Sequence, residues 1–271
     1  MIRNILVSAI FILICIRVSA NDRYYALVDS SEKYIKQKEW VASEKFIKEA
    51  LSCDPENANN SLLLSNLATV QRYMAKNNEA LRNYSFALHM TPNAVTLLQN
   101  RASLYMQMDS IDNAYKDYDR IISLDPKDDE SLFYHGMLAL RKKENDVAKK
   151  DFEQILTNNP LSALGRQGLG NWNKNNGNYN DAVKYYTEII KVKPSEILLA
   201  NRAECYLALK RLNDATDDIR AALEMLPEDG YLYVLRAKLN KARFNEDDMM
   251  RDMKLAEKYG IDPKLVKSAL E

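Results

Sequence analysis

One stretch of the chain decides its fold: NRASLYMQMDSIDNAYKDYDRIISLDP, Asn100–Pro126. Apolar residues recur at steps of three and four over residues 97–108, and they do so again over 114–124, which is the spacing of one face of a helix. The polar pair 109–110 separates the two segments, and Pro126 follows the second segment, where it cannot continue a helix. The stretch therefore predicts two amphipathic helices of about three turns each, joined by a tight turn.

The same pattern repeats along the chain with a period close to 34 residues. Prolines at 126, 160 and 194 follow this period, and two sets of small residues follow it as well. The first set is Ala68, Ala102, Gly136, Gly170, Ala203 and Ala237, and the second is Ala80, Ala114, Ala148, Ala182 and Ala215. Two small positions in each period allow the paired helices to approach closely, so the pattern predicts stacked helix–turn–helix units.

This pattern resembles the tetratricopeptide repeat family. One nearly complete repeat of that family is matched by Asn100, Arg101, Ala102, Tyr105, Ala114, Tyr118, Leu124, Asp125 and Pro126. A second is matched by Asn201, Arg202, Ala203, Tyr206, Ala215, Leu223 and Pro227. The resemblance implies an all-α fold, a right-handed α-solenoid of about seven helix–turn–helix repeats.

Registering the chain on these anchors gives seven repeats, which together span residues 23–260. Their limits are 23–57, 61–94, 95–128, 129–162, 163–195, 196–228 and 230–260, and the first and last repeats are degenerate. Residues 261–271 are predicted to form a C-terminal capping helix, because Pro263 suits a first helical position.

The amino terminus has the three parts of a secretory signal peptide. A short basic segment precedes an apolar core of 12 residues, Ile5–Ile16. A cleavage region of small residues follows and ends at Ala20. The core is too short to span a bilayer, which takes about 20 apolar residues. We therefore expect residues 1–20 to be cleaved after Ala20 and the protein to be exported, into the bacterial periplasm or out of the cell, with no membrane insertion afterwards.

The composition does not indicate catalysis or nucleic-acid binding. Lys and Arg number 38, as do Asp and Glu, so there is no basic excess of the kind that nucleic-acid binding requires. The two histidines, His89 and His135, stand 46 residues apart and have no cysteine nearby, so neither a metal site nor a catalytic cluster is expected. The sequence predicts a protein that is not an enzyme and binds no cofactor. Cys53 and Cys205 are expected to be mostly buried thiols.

Comparison among the repeats predicts a recurring ion pair between the two helices of a repeat. Where the seventh position is basic, the residue sixteen positions later is aspartate, in the pairs Arg101/Asp117, His135/Asp151, Arg202/Asp218 and Arg236/Asp252. Where the seventh position is Ser30, Leu67 or Leu169, the later residue is not acidic. Such covariation is what two facing residues would show.

The family resemblance implies that a partner polypeptide binds in a concave groove lined by the first helix of each repeat. Transferring the groove positions gives an apolar trough with basic spots, suited to a peptide or helix. The candidate partner-binding residues are Asn66, Tyr73, Asn100, Met106, Phe133, Met137, Arg141, Lys174, Asn201, Leu207, Tyr231 and Lys238. About half of the apolar groove residues are expected to pack between neighbouring repeats.

Asparagines at one position of the first helix often hold a ligand's main chain in this family. Asn66, Asn100 and Asn201 match that position, whereas three other repeats have Tyr134, Gly168 and Leu235 there. The ladder of asparagines is therefore interrupted. No run of three repeats carries the lysine, asparagine and arginine that the family uses to clamp carboxylate-ended chaperone tails.

These observations predict a non-catalytic scaffold or adaptor that binds another polypeptide. A chaperone-like holder of unfolded clients, in the periplasm or in the lumen of the endoplasmic reticulum, is the alternative. The trough and the terminal repeats are also candidate surfaces for self-association.

Overall fold

A computed structural model describes residues 21–270, and this part of the chain is helical with no strand. Fifteen helices occur in it. They are α1, residues 21–36; α2, Trp40–Cys53; α3, Asn60–Tyr73; α4, Asn77–Met90; α5, Val95–Gln107; α6, Ile111–Leu124; α7, Asp129–Arg141; α8, Asn145–Asn158; α9, Ala163–Asn175; α10, Tyr179–Val192; α11, Glu196–Ala208; α12, Leu212–Met225; α13, Gly230–Ala242; α14, Glu246–Lys258; and α15, Pro263–Ser268. The predicted signal peptide, residues 1–20, lies outside the described residues.

The helices pack as successive pairs, α1 with α2 through α13 with α14. The chain divides into two compact units, the first ending at Pro126 and the second beginning at Lys127. Within each unit, the second helix of a pair also packs against the first helix of the next pair, as α4 does on α5 and α10 on α11. The predicted fold class, an all-α solenoid of helix pairs, is confirmed. The domain limits 23–260 stay a prediction.

The turn between the two helices of each pair has the same backbone conformation in all seven repeats. One residue of each turn has a positive φ, near 60° except at Gly177, where φ is 77°. These residues are Lys38, Ala75, Asp109, Lys143, Gly177, Lys210 and Phe244. The left-handed conformation ends the first helix sharply, so that the second helix can turn back along it.

Small residues at the helix contacts let the helices approach closely. Ala102 and Ala114 have no solvent exposure. In the fourth and fifth repeats glycine replaces alanine in the first helix and faces a large ring. A Cβ added at Gly136 would lie 2.6 Å from the Phe152 ring, and one added at Gly170 would lie 2.8 Å from the Tyr186 ring. The glycines are thus required by the aromatic residues that fill the space between the helices.

All four predicted contacts are present, three of them as arginine–aspartate ion pairs and one as a histidine–aspartate hydrogen bond. Arg101, Arg202 and Arg236 bind Asp117, Asp218 and Asp252 through two guanidinium nitrogens, at distances of 2.6–3.0 Å, and His135 Nδ1 lies 2.7 Å from Asp151 Oδ2. Two of the arginines also reach the second helix of the preceding repeat, since Arg101 donates to Ser85 and Arg202 donates to Thr187. Each of these arginines therefore joins three helices.

A buried glutamate makes a further polar connection in the N-terminal unit. Glu44 on α2 accepts hydrogen bonds from Gln71 on α3 at 2.9 Å and from Lys76 at 2.6 Å, and it pairs with Lys48 at 2.8 Å. Burial by itself would raise the pKa of Glu44, but the hydrogen bonds from Gln71, Lys48 and Lys76 outweigh it and lower the pKa from 4.5 to about 2.

The C-terminal helix α15 caps the last repeat. Asp262 accepts a hydrogen bond from the main-chain N–H of Lys264, and Pro263 occupies the first turn, as predicted. Val266 packs against Val234 of α13 and Ala256 of α14. The helix is shorter than the predicted segment 261–271, and it covers apolar side chains that would face a further repeat.

We predict that the Arg202–Asp218 pair contributes strongly to stability. The two side chains are only 15% and 6% exposed, so removing one leaves the other charge poorly solvated. Arg202→Met and Asp218→Asn should each lower the free energy of unfolding by about 2–4 kcal/mol. Urea denaturation of the single and double variants should give a coupling energy of about 1–3 kcal/mol.

The exposed pair Arg220–Asp217 on α12, the helix that carries Asp218, is a matched control. Its side chains are 66% and 68% exposed, and the same substitutions there should change stability by less than about 1 kcal/mol. If the stability losses of Arg202→Met and Asp218→Asn are strictly additive in the double variant, the contact between the two residues is contradicted.

We also predict that Glu44 makes stability depend on pH in acid. Because the folded state lowers its pKa, the stabilisation is fully present above pH 4.5 and is lost as the pH falls towards about 2. Wild-type protein should therefore exceed Glu44→Gln in its urea midpoint at pH 7, and the difference should shrink as the pH is lowered from 5 to about 3. A difference that stays constant over this range would refute the assignment.

Candidate functional site

The candidate binding surface is formed by the first helices of successive repeats. In the C-terminal unit these are α7, α9, α11 and α13, and α7 packs on α9 as α11 packs on α13. We call their shared surface the first-helix face of that unit. Eight of the predicted site residues are on these helices: Phe133, Met137, Arg141, Lys174, Asn201, Leu207, Tyr231 and Lys238.

A polar network crosses three helices of this face. The Lys174 ammonium on α9 donates to Asn201 Oδ1 at 2.6 Å and to Glu204 Oε2 at 2.5 Å, both on α11. From α13, the Tyr231 hydroxyl donates to the other carboxylate oxygen of Glu204. Burial and the negative charge of Glu204 raise the pKa of Tyr231, so this hydroxyl stays protonated as a donor. The structure thus brings together three predicted residues and adds Glu204, which the sequence analysis missed.

The network fixes how Asn201 is presented. Because its side-chain oxygen accepts from Lys174, the amide nitrogen is the group left to bind something else. Within residues 21–270 this Nδ2 has no hydrogen-bond partner in the protein. Asn201 therefore offers two amide hydrogens on a partly exposed surface, and these suit a carbonyl oxygen of a bound polypeptide.

The apolar residues of the face differ in how much they are exposed. Phe133 is only 8% exposed, and its ring centroid lies 6.1 Å from that of Phe152, so it mainly packs between helices. Met137 and Leu207 are partly buried, and the Met137 sulfur accepts a hydrogen bond from Asn171 at 3.2 Å. Tyr231, at the start of α13, is 40% exposed, while its hydroxyl is held against Glu204. The open part of the face is accordingly more polar than the sequence predicted.

The N-terminal unit presents two asparagines in the same way. Asn66 on α3 and Asn100 on α5 are partly exposed on helices that pack together, and among the described residues neither side chain has a hydrogen-bond partner. Nearby, Arg72 joins the two helices by donating to Ser103 at 3.2 Å. Met106 is partly buried on the same helix as Asn100.

Tyr73 has a contact that the sequence did not suggest. Its ring stacks on the indole of Trp40 in α2, with centroids 4.4 Å apart and planes inclined by 9°. The side chain is still 66% exposed, and it lies at the last residue of α3, beside the turn into α4. Tyr73 and Trp40 together form an aromatic surface at this edge of the N-terminal unit.

Gly168 shows why the series of asparagines is interrupted in the fifth repeat. A Cβ at this position would lie 2.1 Å from the Phe152 ring, which is fully buried. An asparagine would need that ring to move, so packing excludes it here.

Reactive and metal-binding groups do not converge on this surface. Among residues 21–270, no three His, Cys, Asp or Glu side chains are placed to hold a metal ion, and no helix is long and apolar enough to cross a membrane. His135 is engaged with Asp151 inside its repeat. Cys205 is fully buried, and burial raises the pKa of its thiol to about 12, so it is a poor nucleophile.

Comparison with known proteins identifies the family. Tetratricopeptide repeat profiles match residues 95–128, 130–162 and 174–230. The crystal structure of a tetratricopeptide repeat protein from Parabacteroides merdae is 31% identical and has a TM-score of 0.83, over 92% of this chain and 98% of that one. The chain belongs to the tetratricopeptide repeat family.

Other relatives match shorter segments or the fold alone. The STIP1 homolog of Dictyostelium discoideum is 36% identical over 100 residues, and the mitochondrial import receptor subunit TOM70 of Saccharomyces cerevisiae is 29% identical over 91 residues. These segments are 33% and 34% of this chain but only 17% and 15% of the relatives. The structure of PilF from Pseudomonas aeruginosa is similar in fold, with a TM-score of 0.59 at 17% identity, over 77% of this chain and 94% of that one.

We predict that Gly168→Ala destabilises the C-terminal unit because its methyl group would overlap the Phe152 ring. The loss should be about 1–3 kcal/mol in the free energy of unfolding, measured by urea denaturation. Phe152→Leu should recover part of this loss when combined with Gly168→Ala, although it is destabilising by itself. Two losses that simply add would show that the ring and the methyl group do not meet.

Proposed function

We propose that this protein is a non-catalytic scaffold or adaptor of the cell envelope that holds a segment of a partner polypeptide on its first-helix faces. The observation that carries the proposal is the set of asparagines Asn66, Asn100 and Asn201. Each stands on a first helix, is partly exposed, and has amide hydrogens that no described residue binds. An amide can donate to a main-chain carbonyl whatever the partner's side chains are.

The membership of the family supports a binding role. Segments of the STIP1 homolog and of the mitochondrial import receptor subunit TOM70 are similar to about a third of this chain. The proposal assigns no catalytic residue.

The proposed location rests on residues 1–20. Their basic start, apolar core and small-residue exit support export and cleavage after Ala20. Fractionation of the native cells should place the protein in the periplasm or outside the cell, and mass spectrometry should find Asn21 as its first residue. A full-length chain in the cytoplasm would refute this part of the proposal.

The binding role can be tested at the N-terminal unit. Tagged wild-type chain should capture one defined partner from the native envelope and saturate at a one-to-one ratio. The double variant Asn66→Ala, Asn100→Ala should weaken binding of that purified partner about tenfold, since each lost hydrogen bond contributes about 0.5–1.5 kcal/mol. Titration calorimetry measures the change directly.

Asn78→Ala provides the matched control. Asn78 is exposed on the second helix α4 of the same unit, so its removal should leave the affinity unchanged. Equal binding by wild type and the double variant would remove these asparagines from the site. Binding to no polypeptide at all would overturn the proposed function.

A chaperone-like holder of unfolded clients is the second candidate, and exposed apolar residues at the start of first helices favour it. Leu62 on α3 and Ile197 on α11 are both more than half exposed. A holder should suppress the aggregation of unrelated unfolded chains, whereas an adaptor should not. A light-scattering assay with two unrelated reduced clients separates the two candidates.

A further inference from the structure

Charge is unevenly divided between the first and second helices of the C-terminal unit. The first helices α9 and α13 contain five basic residues and no Asp or Glu: Arg166, Lys174, Arg236, Lys238 and Lys241. The second helices α12 and α14 contain nine acidic residues and four basic ones. The other two first helices, α7 and α11, add two basic and four acidic residues, and the other two second helices, α8 and α10, add four basic and five acidic ones. Net positive charge therefore lies on the first helices, which form the proposed binding surface, and α9 and α13 hold five of its basic residues.

Three of these five basic residues are neutralised within the protein. Arg166 pairs with Glu188 at 3.0 Å, Arg236 binds Asp252, and Lys174 binds Glu204. These contacts leave two lysines on α13, Lys238 and Lys241, without an anionic partner among the described residues.

The two lysines lie one turn apart, so their side chains project from the same side of the helix. The Lys241 ammonium contacts the main-chain carbonyl of Leu270, which carries no net charge. Lys238 is partly buried and, within residues 21–270, makes no hydrogen bond or ion pair. No described residue neutralises Lys238, so its positive charge is available to an incoming anion.

Lys238 lies on the same side of α13 as Tyr231. It follows Tyr231 by seven residues, two helical turns, so both project from one stripe of α13. The Tyr231 hydroxyl reaches Glu204 of α11, so this stripe lies on the side of α13 that meets α11 at the first turn, and Lys238 is about 10 Å further along the helix. Glu204 itself is held by Lys174 and Tyr231, and it is therefore not available to neutralise Lys238.

We infer that the segment bound by the C-terminal unit is acidic, and that one of its Asp or Glu side chains pairs with Lys238 while Asn201 binds its main chain. This inference rests on the proposed function and adds the chemical class of the partner. The ligand group is a side-chain carboxylate within a polypeptide. Lys241 adds positive potential next to it.

Selection from a library of random 12-residue peptides displayed on phage tests the inference without knowledge of the natural partner. The bait is the whole chain from residue 21, as wild type, as Lys238→Glu and as Lys254→Glu. Lys254 is exposed on α14, so its substitution makes the same change in net charge outside the site. Wild type and Lys254→Glu should enrich peptides rich in Asp and Glu, and Lys238→Glu should not.

The best wild-type peptide is then measured by fluorescence anisotropy in low salt. Lys238→Glu should weaken its binding at least about tenfold, and Lys238→Gln should weaken it less. The Asp or Glu of the peptide that pairs with Lys238 is then replaced by Lys. This peptide should bind to the Lys238→Glu variant and should not bind to the wild type. Higher salt should reduce the wild-type affinity, because the pair is partly exposed to solvent. Circular dichroism of each variant confirms that it is folded.

The outcomes separate the two ideas. Enrichment of peptides without excess acid, or equal binding by wild type and Lys238→Glu, would overturn the inference and leave the proposed function standing. If no peptide is enriched by any folded bait, and the envelope capture also yields no partner, the proposed function falls and the inference falls with it.

Discussion

The structure depends on the close approach of paired helices, which small side chains permit at two positions in six of the seven repeats. Ala102 and Ala114 are fully buried where α5 meets α6, and the second to sixth repeats all place alanine or glycine at these two points. The first repeat has Ser31 and Ser43 there, and the seventh has Ala237 and Met249. Where the small residue is Gly136 or Gly170, an aromatic ring of the second helix occupies the space where a Cβ would lie. This constraint sets the spacing between helices, and through it the spacing of the side chains on the first-helix faces.

Arginine–aspartate pairs fix three of the helix pairs in register. The bidentate contact of Arg101 with Asp117 recurs in Arg202 with Asp218 and in Arg236 with Asp252, always between the two helices of one repeat. The aspartates are nearly fully buried, so removing their charge from water costs free energy. The two hydrogen bonds from the arginine offset part of that cost. Where the pair is missing, other polar contacts connect the helices, as Gln71 does by accepting a hydrogen bond from Asn83 on α4. A rigid scaffold of this kind can hold surface side chains in place before a partner arrives.

The first-helix face of the C-terminal unit uses that rigidity. Lys174, Glu204 and Tyr231 neutralise and orient one another across three helices, and they leave Asn201 and Lys238 as the groups with unused binding capacity. Phe133, which the sequence placed in the binding trough, contributes mainly to packing. The face is therefore a polar, preorganised surface, and its specificity would come from a few groups at fixed positions.

The sequence by itself determined the all-α fold, the successive helix pairs and the four contacts between a basic residue and an aspartate within a repeat. Each of these recurs at a fixed interval or obeys a local rule, so one repeat serves as a template for the next. Only the tertiary structure decided the contacts that occur once and join different repeats. Glu204 meets Lys174 and Tyr231 across separations of 30 and 27 residues, and Trp40 stacks on Tyr73 across 33. No internal comparison reveals such pairs, because they depend on how side chains of neighbouring repeats are oriented after packing, and that orientation decides which groups are left to bind a partner.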